Sequence, residues 1–224
     1  MKKYEFTGET KDFCGVELHR IRALKDFGFV AAGDLGGWIK GEGNLSHDGR
    51  CWVSGNAQVS GDAWVSDDAR VFGDARVFGD AWVAGDAQVF GDPRVYGNAR
   101  VFGDARVSGN ARVSDDARVY DDARVFGDAR VFGDARVFGD ARVAGDAEIK
   151  APKDTFWLSA IGSRYGTTTF FRCVDGKVRV TCGCFYGDLD EFLAKVEKTH
   201  GDNKHGKVYK KLIELAKIQM EVDV

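Results

Sequence analysis

From Val53 to Glu148 the chain repeats a strict six-residue cycle of apolar and polar positions, sixteen hexads without insertion. The first position is Val in all sixteen, and the fifth is Ala in fifteen, with Pro93 the exception. The third is Gly in thirteen hexads and Asp67, Asp115 and Asp121 in the rest; the fourth is Asp in thirteen and Asn56, Asn98 and Asn110 in the rest. Six is a multiple of two, so Ala-Arg-Val-Phe reads as a short strand with Ala and Val inward and Arg and Phe outward. Gly-Asp then forms a corner, where Gly tolerates unusual backbone angles and Asp or Asn bonds neighbouring backbone. An α-helix is excluded, because period six does not match 3.6 and a Gly-Asp pair would break it every six residues.

The hexad Val71-Phe72-Gly73-Asp74-Ala75-Arg76 and its fifteen sisters resemble the hexapeptide-repeat proteins, with an aliphatic residue and a small residue four places later. That resemblance implies a left-handed parallel β-helix of triangular section, three hexads per coil. Sixteen hexads make about five coils, and Ile39 and Leu45 read as two earlier hexads, out of phase by two residues, giving nearly six. At ~4.8 Å per coil the rod is roughly 25–30 Å long. Such a solenoid needs caps at both ends. Three domains are expected: an N-terminal cap over 1–38, the β-helix over 39–150, and a C-terminal α+β domain over 151–224. In the last, Phe156 to Ile161, Thr167 to Val174 and Lys177 to Phe185 read as strands. Asp188 to Thr199 reads as a helix with Leu189, Phe192, Leu193 and Val196 on one face, opened by a capping-box pair of Asp188 and Glu191. A second helix is expected from about Lys207 to Met220, with Val208, Leu212 and Ala216 inside, for a βββαα order.

Since every third hexad shares a face, the outward residues fall into columns. One face carries Trp64, Trp82, Arg100, Arg118 and Arg136, beside Ser66, Ala84, Phe102, Tyr120 and Phe138. A second carries Phe72, Phe90 and Phe126, and the third Phe78, Tyr96 and Phe132. Stacked rings covering arginine stems account for part of this pattern. The amount of outward aromatic surface further implies that at least one face meets another chain, a homo-oligomer (dimer or trimer) or a protein partner.

Charge changes the picture only in its distribution. The net charge of the 224 residues is −3, but the repeat holds eleven Arg against sixteen Asp and one Glu. A nucleic-acid groove needs a net basic stripe, so direct nucleic-acid binding is the lesser expectation. The charges either neutralise one another on a solvated surface, or the arginine faces dock acidic groups of a partner while the aspartate corners imitate a phosphate backbone. Calcium between stacked Asp is disfavoured by the neighbouring Arg columns. In the tail, Lys204, Lys207, Lys210, Lys211 and Lys217 form either a solvated helix face or a docking surface, with Lys207, Lys210 and Lys211 as its candidate contacts.

Candidate chemistry is sparse. Hexapeptide proteins that transfer acyl groups use a histidine base, yet no His lies between Val53 and Glu148, and His47 stands before the first hexad without an evident partner. Cys182, Cys184, His200 and His205 are weak metal candidates, because Cys-x-Cys is shorter than usual zinc spacing; Cys182 and Cys184 are expected on one side of a strand. Asp26-Phe27-Gly28 lacks the other kinase motifs, and Asn44-Leu45-Ser46 fits a glycosylation acceptor with no sign of secretion. No cofactor is expected. Five irregularly spaced cysteines, no apolar run of membrane length and an N-terminus unlike a signal peptide point to a reducing cytoplasm.

The whole chain resembles uncharacterised hexapeptide-repeat proteins of the phage and prophage accessory type. The resemblance rests on Gly33-Asp34-Leu35-Gly36-Gly37-Trp38-Ile39, Asn44-Leu45-Ser46 before Cys51-Trp52-Val53, the repeats, Gly183-Cys184-Phe185-Tyr186-Gly187 and Thr199-His200-Gly201-Asp202-Asn203. It implies a genetic setting in which small proteins bind and block host defences, and with it the bacterial host cytosol. The expectation is a non-enzymatic binder of a host target, such as a nucleic-acid-handling defence complex. The alternatives are an oligomeric protein that sequesters nucleotide signals and an acyltransferase.

Overall fold

The computed structural model describes residues 2–222. Each hexad contributes a short strand, such as Arg100–Val101 or Arg118–Val119. Strands pair in parallel with those eighteen residues away, Val89 on Val107 and Val101 on Val119. The described chain is therefore a parallel β-solenoid of about six turns, mainly β, with a small α+β unit behind it. The inward Val and Ala of the repeat, among them Val101, Val119, Ala105 and Ala117, are wholly buried.

The coils build three flat faces. The longest is a nine-stranded sheet in which Ile39, Val59, Val77, Val95, Val113, Val131 and Ile149 follow one another. A second face has six rungs, from Trp52–Val53 to Arg142–Val143, and a third has five, from Trp64–Val65 to Arg136–Val137. The earlier hexads are present: Ile39 pairs with Val59, and Leu45 bridges to Val65. Both offsets are twenty residues rather than eighteen. The corner before Cys51 takes up the extra two, with Gly49 at φ 65° pressed on the Asp67 carbonyl and the Cys51 N–H donating to that oxygen at 2.8 Å.

The corners explain the glycine and aspartate positions. Gly79 sits at φ 75°, and a Cβ there would lie 2.9 Å from the Gly97 nitrogen one coil on. Asp67, Asp115 and Asp121 take the same left-handed conformation at φ 57°, 57° and 58°. Asp adopts that region more readily than most side chains. Each carboxylate also accepts the N–H of the glycine one coil ahead: Gly85 at 3.1 Å, Gly133 at 3.2 Å and Gly139 at 3.2 Å.

Both ends are covered. β1 (Tyr4–Phe13) and β2 (Val16–Ala23) form a hairpin, and β3 (Leu35–Ile39) pairs antiparallel with β2 and parallel with the first rung of the long face. The 38/39 division thus falls inside β3. Beneath the hairpin Lys3 is fully buried, its Nζ donating to the Cys51 carbonyl at 2.9 Å and the Asp48 carbonyl at 3.3 Å. Those carbonyls and the Phe27 ring, 5.2 Å away, offset the desolvation of the ammonium.

The far end is closed by an antiparallel sheet of four strands, Thr155–Ile161, Gly166–Arg172, Val178–Cys182 and Phe185–Asp188. The tail is therefore ββββαα rather than βββαα. Gly183, at φ 60°, turns the chain so that Cys182 pairs with Phe185. Cys182 ends one strand and Cys184 sits in the turn, so the two do not share a strand face. Phe171 and Cys173 enter the Val/Ala core of the solenoid, and the Thr181 hydroxyl donates to the Arg142 carbonyl at 2.8 Å. α1 (Leu189–His200) starts on the expected Asp188–Glu191 capping box. α2 (Lys204–Gln219) begins three residues earlier than expected because Asn203 caps it, accepting the His205 and Gly206 amides. Gly206 packs on the Gly201 carbonyl, and that contact sets the helix rotation: Tyr209, Leu212, Ile213 and Ala216 are buried while Val208 faces out. Among the described residues no helix is long and apolar enough to cross a membrane.

The corner geometry separates two substitutions at one site. Gly109, at φ 70° with the Gly127 nitrogen 2.9 Å from its missing Cβ, is expected to lose about 1–2 kcal/mol of stability on change to Ala. Gly109→Asp is expected to lose less than half of that, because its carboxylate gains the Gly127 N–H. Denaturant titration of the two variants checks the order.

Candidate binding surface

The five-rung face places the expected residues in one field. Trp64, Trp82, Arg100, Arg118 and Arg136 stand in register on successive coils. The alternation of the strand that buries Val101 and Val119 turns these side chains outward. Trp64 and Trp82 stack at 6.1 Å and remain 47% and 38% exposed. The Trp82 indole N–H donates to the Ser66 hydroxyl at 3.2 Å, which fixes its lean along the face. Two positions further along the chain, Phe102, Tyr120 and Phe138 stack at 5.0 Å with their planes 3° apart. Trp157 of the tail ends that stack edge-on, 4.4 Å from Phe138. A shallow cavity of about 350 Å³ opens between Trp82, Ala84, Arg100, Phe102 and Arg118.

The arginines of this face form no close ion pair with the aspartate corners, although Asp67 lines the same cavity. Among the described residues no carboxylate lies within 4.0 Å of Arg100, Arg118 or Arg136. Several corner acids are occupied elsewhere: Asp67, Asp115 and Asp121 bind backbone amides, while Asp74, Asp116 and Asp128 accept from Asn56, Asn98 and Asn110. Three guanidiniums one rung apart therefore present like charge in register, an arrangement that costs stability in the free protein.

The tail lysines are different. Lys210 bonds Asp202 at 3.1 Å and approaches Glu197 at 3.6 Å, and Lys211 pairs with Glu214 at 2.7 Å. Lys207 is exposed, with no carboxylate within 4.0 Å among the described residues.

Three of the four metal candidates, Cys182, Cys184 and His200, line a mostly apolar cavity of about 270 Å³ in the tail, and the His205 ring lies 5.8 Å from that of His200. Cys182 accepts from the Thr168 hydroxyl at 3.2 Å. Among the described residues no cluster of three or more His, Cys, Asp or Glu is placed to hold a metal ion. Tyr209, which the sequence pattern left unmarked, forms part of the wall and stacks on His200 at 5.7 Å. Burial pushes its hydroxyl up to about 12, with Cys182 adding to the effect.

Comparison with known proteins shows similarity in the repeat. A family model described as the YdcK β-solenoid repeat matches residues 69–85, 93–109, 105–121 and 117–133. The protein named "Uncharacterized acetyltransferase YdcK" of Escherichia coli (strain K12) is 38% identical over 61 residues, covering 24% of this chain and 19% of that protein. The chain thus spans about a fifth of the length of the curated relative it matches.

Three tyrosines are set apart by their surroundings. Burial raises Tyr186 and Tyr209 to about 12 and pushes Tyr4 higher still. In the unfolded chain all three ionise near 10. Their raised folded values favour the protonated fold, so stability is full below about pH 10 and declines as pH rises through 10 to 12. Absorbance titration at the phenolate band is expected to show Tyr4, Tyr186 and Tyr209 ionising above the ordinary range, together with that loss of stability.

Proposed function

We propose that this chain is a non-catalytic binding protein whose five-rung face captures an acidic surface on a protein partner. One observation carries the reading: Arg100, Arg118 and Arg136 stand in register with no carboxylate within reach among the described residues. A partner carboxylate between two such guanidiniums removes their repulsion and gains charge-assisted hydrogen bonds. The exposed Trp64 and Trp82, with Phe102, Tyr120 and Phe138, supply the apolar part of the contact. Lys207 adds a separate cationic point; Lys210 and Lys211 contribute only by exchanging their internal partners.

The resemblance to phage and prophage accessory proteins suggests the proposed setting, a bacterial cytosol in which the partner is a host defence complex. Rows of corner aspartate beside rows of arginine fit a target that handles nucleic acid, since the former resemble spaced phosphates. Self-association as a dimer or trimer through a ring-bearing face is part of the same proposal. No cofactor is needed for it.

A second reading, acyl transfer, is favoured by the name of the E. coli relative. Its base would be His47, whose Nδ1 accepts the Lys3 amide at 3.1 Å while its ring stacks on Tyr4 at 4.3 Å and Nε2 faces Glu42 at 3.8 Å. Those contacts give His47 a structural role in closing the first coil.

The experiment is capture from a bacterial lysate with the wild-type chain and with Arg100→Glu/Arg118→Glu/Arg136→Glu. The expected outcome is a protein captured by the former and lost from the latter, with an unchanged β circular-dichroism spectrum. Equal capture by both overturns the face assignment. Acetyl-CoA turnover abolished by His47→Ala would support the acyl-transfer reading instead.

A further inference from the structure

The long face holds a feature independent of the five-rung face. Its outward column runs Phe78, Tyr96, Ser114 and Phe132 on successive coils. Phe78 and Tyr96 stack at 5.0 Å with planes 4° apart, the same spacing as between Phe72 and Phe90 and between Phe102 and Tyr120. At Ser114 the ring is missing although the backbone ladder continues: Tyr96 N–H donates to Val113 and Ser114 N–H to Val131, both at 2.9 Å. Tyr96 and Phe132 therefore stand two rungs apart, with room between them for one flat ring at the ladder's own spacing. A cavity of about 270 Å³ occupies that place, floored by Ser114 and flanked by Arg112 and Arg130.

The charges around the gap are not equivalent. Two carboxylates also line it, but Glu148 is held by Lys150 at 3.0 Å and Asp115 by the Gly133 amide at 3.2 Å. Arg112 and Arg130, paired in register, have no carboxylate within 4.0 Å among the described residues, although Glu148 is the rung neighbour of Arg130. The uncommitted groups are thus two ring faces and two adjacent guanidiniums.

We propose that this slot binds a purine mononucleotide, the base sandwiched between Tyr96 and Phe132 and the phosphate held by Arg112 and Arg130. Bases stack on aromatic side chains whatever their sequence identity, and a phosphate accepts paired guanidinium hydrogen bonds. The ligand supplies the missing ring of the ladder and the missing counter-charge together. A phenylalanine or tryptophan side chain from a partner would supply only the ring.

The test is calorimetric titration of the full chain with AMP, adenosine and ribose 5-phosphate. AMP is expected to bind, adenosine at least tenfold more weakly, and ribose 5-phosphate without detectable heat. Ser114→Phe completes the ring ladder and is expected to abolish AMP binding while keeping or raising the melting temperature; Arg112→Ala/Arg130→Ala is expected to weaken AMP at least tenfold. Absence of AMP binding, equal binding by Ser114→Phe, or ribose 5-phosphate binding as well as AMP would overturn the proposal. None of these outcomes bears on capture by the five-rung face.

Discussion

Stacking of like upon like, one coil on the next at a shift of eighteen residues, is the constraint from which the rest of this molecule follows. Parallel pairing puts Val on Val and Ala on Ala in the interior, where the columns are dry and closely packed. The same register forces each corner over the next, so the third position must accept a left-handed backbone beside another backbone. Glycine meets that demand by lacking a Cβ, and Asp67, Asp115 and Asp121 meet it by bonding the next glycine amide. Outside, the rule turns aromatic residues into ladders that hold themselves and arginines into rows that repel themselves. The interior and the outer faces are consequences of one geometry.

A structure made this way has two vulnerable ends, because the last coil presents unpaired backbone and an open core. The two caps solve this differently. The N-terminal hairpin extends the long face itself, and the buried Lys3 ammonium fastens it by spanning the Cys51 and Asp48 carbonyls. The tail instead lays a separate sheet against the last coil, inserting Phe171 and Cys173 into the core and binding the Arg142 backbone through Thr169 and Thr181. Trp157 meets the end of the Phe102–Tyr120–Phe138 stack, so the tail terminates a surface ladder as well as the core.

The sequence was most legible where this constraint acts. Sixteen hexads and the offset Ile39 and Leu45 give coil number, inward rows and face membership directly, since period and position determine them. It was less legible where a single residue sets a local choice. Gly183 divides one apparent strand into two, and its effect is indistinguishable in sequence from a glycine tolerated inside a strand. Gly206 and the Asn203 cap rotate α2 so that Tyr209 replaces Val208 in the core. The state of the arginines was not legible: composition shows enough aspartate to neutralise them, but only geometry shows several of those carboxylates bound to backbone and asparagine. The gap at Ser114 is written in the sequence, and it acquires meaning only when residues eighteen apart are set side by side.

The central claim is that the arginine rows are unpaired and mutually repelling in the free protein, poised for an acidic counterpart. The most direct measurement is the melting temperature of wild type and Arg118→Gln across ionic strength, since Arg118 lies between Arg100 and Arg136. Arg118→Gln is expected to melt higher than wild type at low salt, and added salt to close the difference by screening the row. A variant that melts lower than wild type at low salt, with the gap shrinking as salt rises, would show Arg118 to be ion-paired within the chain and would contradict the account.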